Sequence, residues 1–180
     1  MLKIISIFTI FLSFPLFAQT IEEEVIKSTN ALRLELGGSN SGLSPFVRNS
    51  SLDSAAMYHA KWVVTSGISG HIETKSVPGI KALTDVNDRA SKYGATAFAE
   101  NLISECIYVK LNGSVNIKET ANLAFSSWKN SPGHYANMTL NMPKGIQPRI
   151  GVAIAQYSED LFCIVMIIGA NIDSQGHITE

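Results

Sequence analysis

Four stretches of the chain repeat apolar residues at helical spacing, and its end carries two continuous apolar runs. From Ile21 to Leu36, residues Ile21, Val25, Leu32 and Leu36 fall on one face, with Thr20 as N-cap and Glu22, Glu23 and Glu24 in the first turn, where acids suit the helix dipole. The glycine-rich stretch Gly37 to Gly42 ends this helix, and Leu43-Ser44-Pro45-Phe46 reads as an extended link. A second helix is predicted over Ser50 to Ser66, with Leu52, Ala55, Ala56, His59, Trp62 and Val63 on one stripe. A short third helix spans Asp85 to Tyr93 and closes at Gly94. Phe98 to Lys110 reads as a strand with the polar pair Glu100 and Asn101 near its start, and Asn112-Gly113 makes the turn after it. The fourth helix, Ile117 to Asn130, presents Ala121, Ala124, Phe125 and Trp128. Pro132 and Gly133 then break the pattern, which predicts His134 on a corner outside any helix. Arg149 to Tyr157 and Leu161 to Ala170, separated by Ser158-Glu159-Asp160, predict a β-hairpin. Those two runs are apolar on both faces, as strands covered by helices on either side would be. Helices first and a hairpin last favour an α+β domain over a doubly wound sheet.

The first 18 residues stand apart from this pattern. Lys3 precedes a nearly unbroken apolar run from Ile4 to Phe17, and Leu16-Phe17-Ala18 reads as a small-residue cleavage site. The run is shorter than the roughly 20 residues of a membrane span and contains Pro15, so the expectation is a signal peptide at 1–18 followed by one exported domain at 19–180, secreted or held in the periplasm or cell envelope, with no membrane span after cleavage. The formal charge is −1, and removal of Lys3 takes it to −2 (13 basic against 15 acidic residues). The basic residues are scattered singly, so a nucleic-acid partner is not expected. Cys106 and Cys163 lie in strand-like runs, where one disulfide and two buried thiols are both open readings.

Three ionisable residues fall at predicted loop or element ends: His71, in the loop Gly67-Ile68-Ser69-Gly70-His71, then Glu100, then His134. Two imidazoles suit zinc and a carboxylate can ligate or orient from behind, although no HExxH pattern accompanies them. The same set suits acid–base catalysis, with Glu100 holding a histidine tautomer. No nucleophile motif is visible: there is no Gly-x-Ser-x-Gly, and Ser131 beside Pro132 reads as a helix-end residue. Glu100 has a competing role as acceptor of backbone N–H groups, His71 as a solvated loop residue, and His59 reads as a core histidine bonded to backbone.

Taken in order, six features make the chain resemble the CAP superfamily, or SCP domain, whose members include cysteine-rich secretory proteins, venom antigens and plant pathogenesis-related proteins. They are Asn30-Ala-Leu-Arg33, His71, Arg89 with Tyr93-Gly94, Ala99-Glu100-Asn101-Leu102, Trp128 through Asn137, and Ile150-Gly151-Val152. The resemblance implies a three-layer α-β-α sandwich, with an antiparallel sheet between helices, and a cleft where His71, Glu100 and His134 converge. It makes His71 and His134 candidate ligands of Zn2+, with Glu100 hydrogen-bonded behind them. Ser131 occupies the place, three residues after the tryptophan, where the eukaryotic branch carries a second glutamate, and the Trp-Lys-Asn-Ser-Pro-Gly-His wording matches the bacterial branch. The function it implies is an extracellular or envelope binding module, for a metal, a lipid, a protein or a cell-wall ligand. The alternative is a protease-like hydrolase, metal-assisted or acid–base, using the same three residues.

Overall fold

The computed structural model describes residues 19–37, 43–142, 145–173 and 175–179. The expected signal peptide and most of the glycine-rich loop lie outside the described residues. Among the described residues there are five helices and seven strands, in the order α1 (Ile21–Glu35), β1 (Val47–Arg48), α2 (Ser50–Ser66), α3 (Val86–Lys92), β2 (Ala95–Ile107), β3 (Lys110–Leu111), β4 (Ser114–Val115), α4 (Ile117–Lys129), α5 (Pro132–Met138), β5 (Arg149–Gln156), β6 (Leu161–Ile172) and β7 (Ile178–Thr179).

Helix starts follow the chemistry of their first residues. Thr20 and Glu23 form a reciprocal capping box on α1, and Asn49, Asp85 and Asn116 cap α2, α3 and α4 by accepting backbone N–H bonds from Leu52, Asp88 and Glu119. Gly67, at φ 67°, ends α2 in the left-handed conformation that only glycine adopts without strain. Leu36 departs from the expected stripe: it is the C-cap of α1 and 42% exposed.

The main sheet has the order β1-β5-β6-β2, with β7 paired to the far end of β6. The predicted hairpin is β5–β6, in antiparallel register from Arg149 opposite Gly169 to Gln156 opposite Phe162. The sheet is not wholly antiparallel as expected: the two-residue β1 pairs in parallel with β5. β6 is the central strand, and its alternation divides the core. Phe162, Ile164, Met166 and Ile168 pack with α1, α4 and α5, whereas Cys163, Val165 and Ile167 pack with α2 and α3. This is the α-β-α sandwich, and it explains why the last strands are apolar on both faces.

The same alternation settles the cysteines. Cys106 lies in the α1/α4 layer and Cys163 in the α2/α3 layer, both buried and free, so a bridge would have to cross the sheet. Burial pushes the Cys106 thiol up to about 11 and the Cys163 thiol up to about 12, which makes both inert.

Close approach of backbones needs glycine at two points. A Cβ on Gly151 would sit 2.1 Å from the Leu52 carbonyl carbon, and one on Gly169 would sit 1.9 Å from the Thr96 carbonyl oxygen. Gly151 therefore sets how near α2 lies to β5. Arg33, buried at the end of α1, donates from Nε to the Ser44 carbonyl and from Nη1 to the Met138 and Leu140 carbonyls, tying α1 to the end of α5.

Candidate functional site

The site forms on β2, the edge strand of the sheet, where its two helical layers meet. Glu100 lies opposite Ile167, on the side of α2 and α3, and the next residue, Asn101, lies opposite Met166, on the side of α5. Alternation along one strand thus sends one polar side chain into each layer.

On the first side, the Glu100 side chain is 3% exposed and its carboxylate carries two close partners. His71 Nδ1 lies 2.8 Å from Oε1, and Arg89 Nη2 donates to Oε2 at 2.7 Å. A carboxylate only accepts, so His71 bonds through Nδ1–H, leaving Nε2 with no protein hydrogen-bond partner among the described residues. Glu100 accepts no backbone N–H among the described residues, so the loop-fixing role weighed from sequence falls to charged side chains instead. Burial acts to push the Glu100 carboxyl up, but the His71 bond, the charge of His59 and the Arg89 guanidinium outweigh it, so its pKa sits below the usual range.

On the other side stands His134, the third residue of α5. This corrects the expected corner. Pro132 cannot continue α4, but its fixed φ and missing N–H suit the first turn of a new helix, so the same residue ends one helix and starts the next. Ser131 is the N-cap residue of α5 and makes no side-chain capping bond. Two asparagines bind α5 to the strand edge: Asn137 donates to the Glu100 carbonyl at 3.1 Å and to Asn101 Oδ1 at 2.9 Å, and Asn101 donates to the His134 carbonyl at 3.1 Å. The Trp128-to-Asn137 segment therefore anchors at one end through buried Trp128 and at the other through Asn137.

The result is one exposed and one half-buried imidazole beside a buried carboxylate. The His71 and His134 ring centroids are 6.4 Å apart at 61°, and the His71 side chain is 52% exposed. Their environments push them apart in acidity. The Glu100 hydrogen bond raises the His71 pKa against the opposing effects of burial and Arg89, whereas burial, then the nearby His71 charge, lowers that of His134. No serine, threonine or cysteine side chain hydrogen-bonds to either ring among the described residues.

The donor set meets zinc halfway. Two rings ligating one ion at about 2.0 to 2.1 Å would have their centroids about 5 to 6 Å apart, against the 6.4 Å observed. Glu100 already serves the role of the carboxylate behind a ligating histidine. The other two positions of a tetrahedral ion would fall to water or to a ligand, since Ser131 stands where a further carboxylate is expected and no cluster of three or more candidate ligands occurs among the described residues. Hollows elsewhere include one of about 540 Å³ along α2, by Asp53, Tyr58, Lys61 and Tyr93, and a smaller apolar one of about 270 Å³ by Phe98, Leu140, Met142 and Ile178. Neither includes His71, Glu100 or His134.

Sequence reasoning named the three residues and missed what holds two of them. Arg89 was visible only as part of a motif, Asn137 as its end, and Glu73 not at all. A charged residue at a helical position that spacing buries, as Arg89 is, was the available signal.

The chain belongs to the CAP family, described as the cysteine-rich secretory protein family, whose model matches residues 26–168. The fold is similar to that of an outer surface protein from Borrelia burgdorferi, with a TM-score of 0.55 and 15% identity, covering 82% of this chain and 90% of that one. It is also similar to an extracellular protein containing an SCP domain from Bacillus anthracis, with a TM-score of 0.51 and 15% identity, covering 82% of this chain and 40% of that one. This chain thus spans about two fifths of the Bacillus protein. No curated protein matches the sequence. At that identity the structural likeness concerns the fold alone.

Proposed function

We propose that the protein is an exported binding module, without catalytic turnover, whose His71–His134 pair receives its ligand through a divalent metal such as zinc. The observation that carries this reading is the His71–Glu100 bond: it fixes Nδ1 as the donor, so in the neutral ring Nε2 carries a lone pair with no protein partner among the described residues, on an exposed ring 6.4 Å between centroids from His134. Nε2 of His71 and a ring nitrogen of His134 would hold the ion, with Glu100 orienting the first from below. Such an ion supplies Lewis acidity toward carboxylate, phosphate or carbonyl oxygens of an extracellular protein, a lipid headgroup or a cell-wall ligand. Export is supported by the apolar leader read from the sequence and by neighbours described as an outer surface protein and an extracellular protein. No helix among the described residues is long and apolar enough to cross a membrane. A histidine pair with no hydrogen-bonded nucleophile among the described residues disfavours hydrolysis through a side-chain nucleophile. Calorimetric titration with zinc tests the metal, and peptide and ester substrates test the chemistry. The expected result is binding by the native protein, weakened at least roughly tenfold by His71→Ala or His134→Ala, with no turnover. Reproducible hydrolysis that disappears in a folded His134→Ala variant would overturn it in favour of the hydrolase.

A further inference from the structure

Beneath the cleft lies a second group of charged side chains that ligand binding does not use. His59, wholly buried on α2, has Nδ1 at 3.0 Å from Glu73 Oε1 and Nε2 at 3.0 Å from the Gly70 carbonyl, with Glu100 Oε1 at 3.7 Å from the same Nε2. Both close neighbours are acceptors, so both bonds form together only when each ring nitrogen carries a hydrogen. Arg89 closes the set, with Nη1 at 3.7 Å from Glu73 Oε1 and Nη2 donating to Glu100 Oε2 and to the His71 carbonyl, the latter at 3.2 Å. Two carboxylates thus face a guanidinium and an imidazole in a region closed to water, where an unmatched charge is costly.

Three contacts of this network bear on the segment that carries His71. They reach the Gly70 carbonyl, the His71 carbonyl and the Glu100 oxygen that holds the His71 ring. Glu73 also accepts from the Leu83 N–H at 2.7 Å, and Trp62, stacked on His59 at 5.8 Å between centroids, donates to the Lys75 carbonyl at 2.7 Å. Apolar burial does little of this work: Ile72 is exposed, Ile68 only half-buried, and Gly67 and Gly70 both take positive φ. The loop's position is therefore set by hydrogen bonds from below.

We propose that His59, acting with Glu73, is a positioning residue for the cleft: through the Gly70 carbonyl and Glu100 it fixes the height and tautomer of the His71 imidazole without touching a ligand. The consequence for metal affinity rests on the reading given above; the consequence for the His71 ring does not.

The test uses His59→Gln and Glu73→Gln, with thermal unfolding to establish that each variant folds. Long-range proton–nitrogen NMR of the His71 ring, at alkaline pH where it is neutral, reports its tautomer. The native protein should show Nδ1–H almost alone, and each variant a mixture with comparable Nε2–H. Zinc affinity should fall roughly 10- to 100-fold, the usual effect of losing a partner behind a ligand. A folded variant with the native His71 spectrum overturns the proposal. So does unfolding of both variants, which would make the network a support of the fold and not of the site. If the native protein binds no zinc yet the variants scramble the tautomer, positioning stands and the metal reading falls.

Discussion

Replacing Glu100 by glutamine keeps the volume of the side chain and removes its charge, so it isolates what the carboxylate does. Arg89 Nη2 donates to Oε2 at 2.7 Å, and His71 to Oε1 at 2.8 Å. At an effective dielectric of about 20, opposite charges at that separation attract by about 6 kcal/mol, and Glu73, 3.7 Å from Nη1, would retain part of the attraction felt by Arg89. Removing one partner of a buried pair costs about 3 to 5 kcal/mol in comparable settings. Against a total stability of about 5 to 15 kcal/mol this is a large share, and it corresponds to a melting temperature lower by about 6 to 20 °C in a domain of this size. The assay is urea unfolding, checked by a thermal melt. Because the Glu100 pKa is lowered in the folded state, the charge contributes its stability above about pH 4.5 and loses it as pH falls through the depressed value, so native and variant should converge in acid. A loss below about 1 kcal/mol near neutral pH would refute the view that this carboxylate joins site to core.

The two cleft histidines should titrate on opposite sides of pH 6.5 by NMR, His71 above and His134 below. A raised His71 pKa adds stability that is full below 6.5 and lost as pH rises through the folded value; the depressed one of His134 adds stability present above 6.5 and lost as pH falls through its own. A reversed order would refute the assignment of Glu100 to His71. Gly151→Ala places a methyl group 2.1 Å from the α2 backbone and should cost at least about 1 to 3 kcal/mol of overpacking, so an unchanged melting curve would contradict the close helix–strand approach. Trp128→Ala should cost about 3 to 5 kcal/mol as a fully buried aromatic, whereas His134→Ala, half-buried and with no side-chain hydrogen bond, should leave folding nearly intact. Equal losses in the two variants would make His134 a residue of the core.

The helices and the final hairpin were legible because their residues obey one period each. The stripe of α2 is buried at all six predicted positions, and β5 and β6 lie where the apolar runs are. Failures cluster where one residue serves two elements or where pairing is distant. Pro132 reads as a stop because it is one for α4, yet it is also the start of α5. β1 is two residues long and is defined by its register with Arg149 and Ile150, about a hundred positions away, so no local pattern marks it. Cys106 and Cys163 could not be placed on opposite faces before the bulges that shift register in β2 were known. At the site, His71, Glu100 and His134 were found as residue types in a family order, but the partners of the Glu100 carboxylate come from α2, α3 and one loop. Charge balance among buried groups is a property of the assembled fold and leaves no spacing in the sequence.

The proposed function requires His71 and His134 to converge on one ligand-bearing cation. A crystal structure determined with zinc tests it most directly. The predicted result is a single ion about 2.0 to 2.1 Å from Nε2 of His71 and from one ring nitrogen of His134, with Glu100 still bonded to His71 Nδ1. Zinc bound only elsewhere, or imidazoles that remain apart with no ion between them, would contradict it.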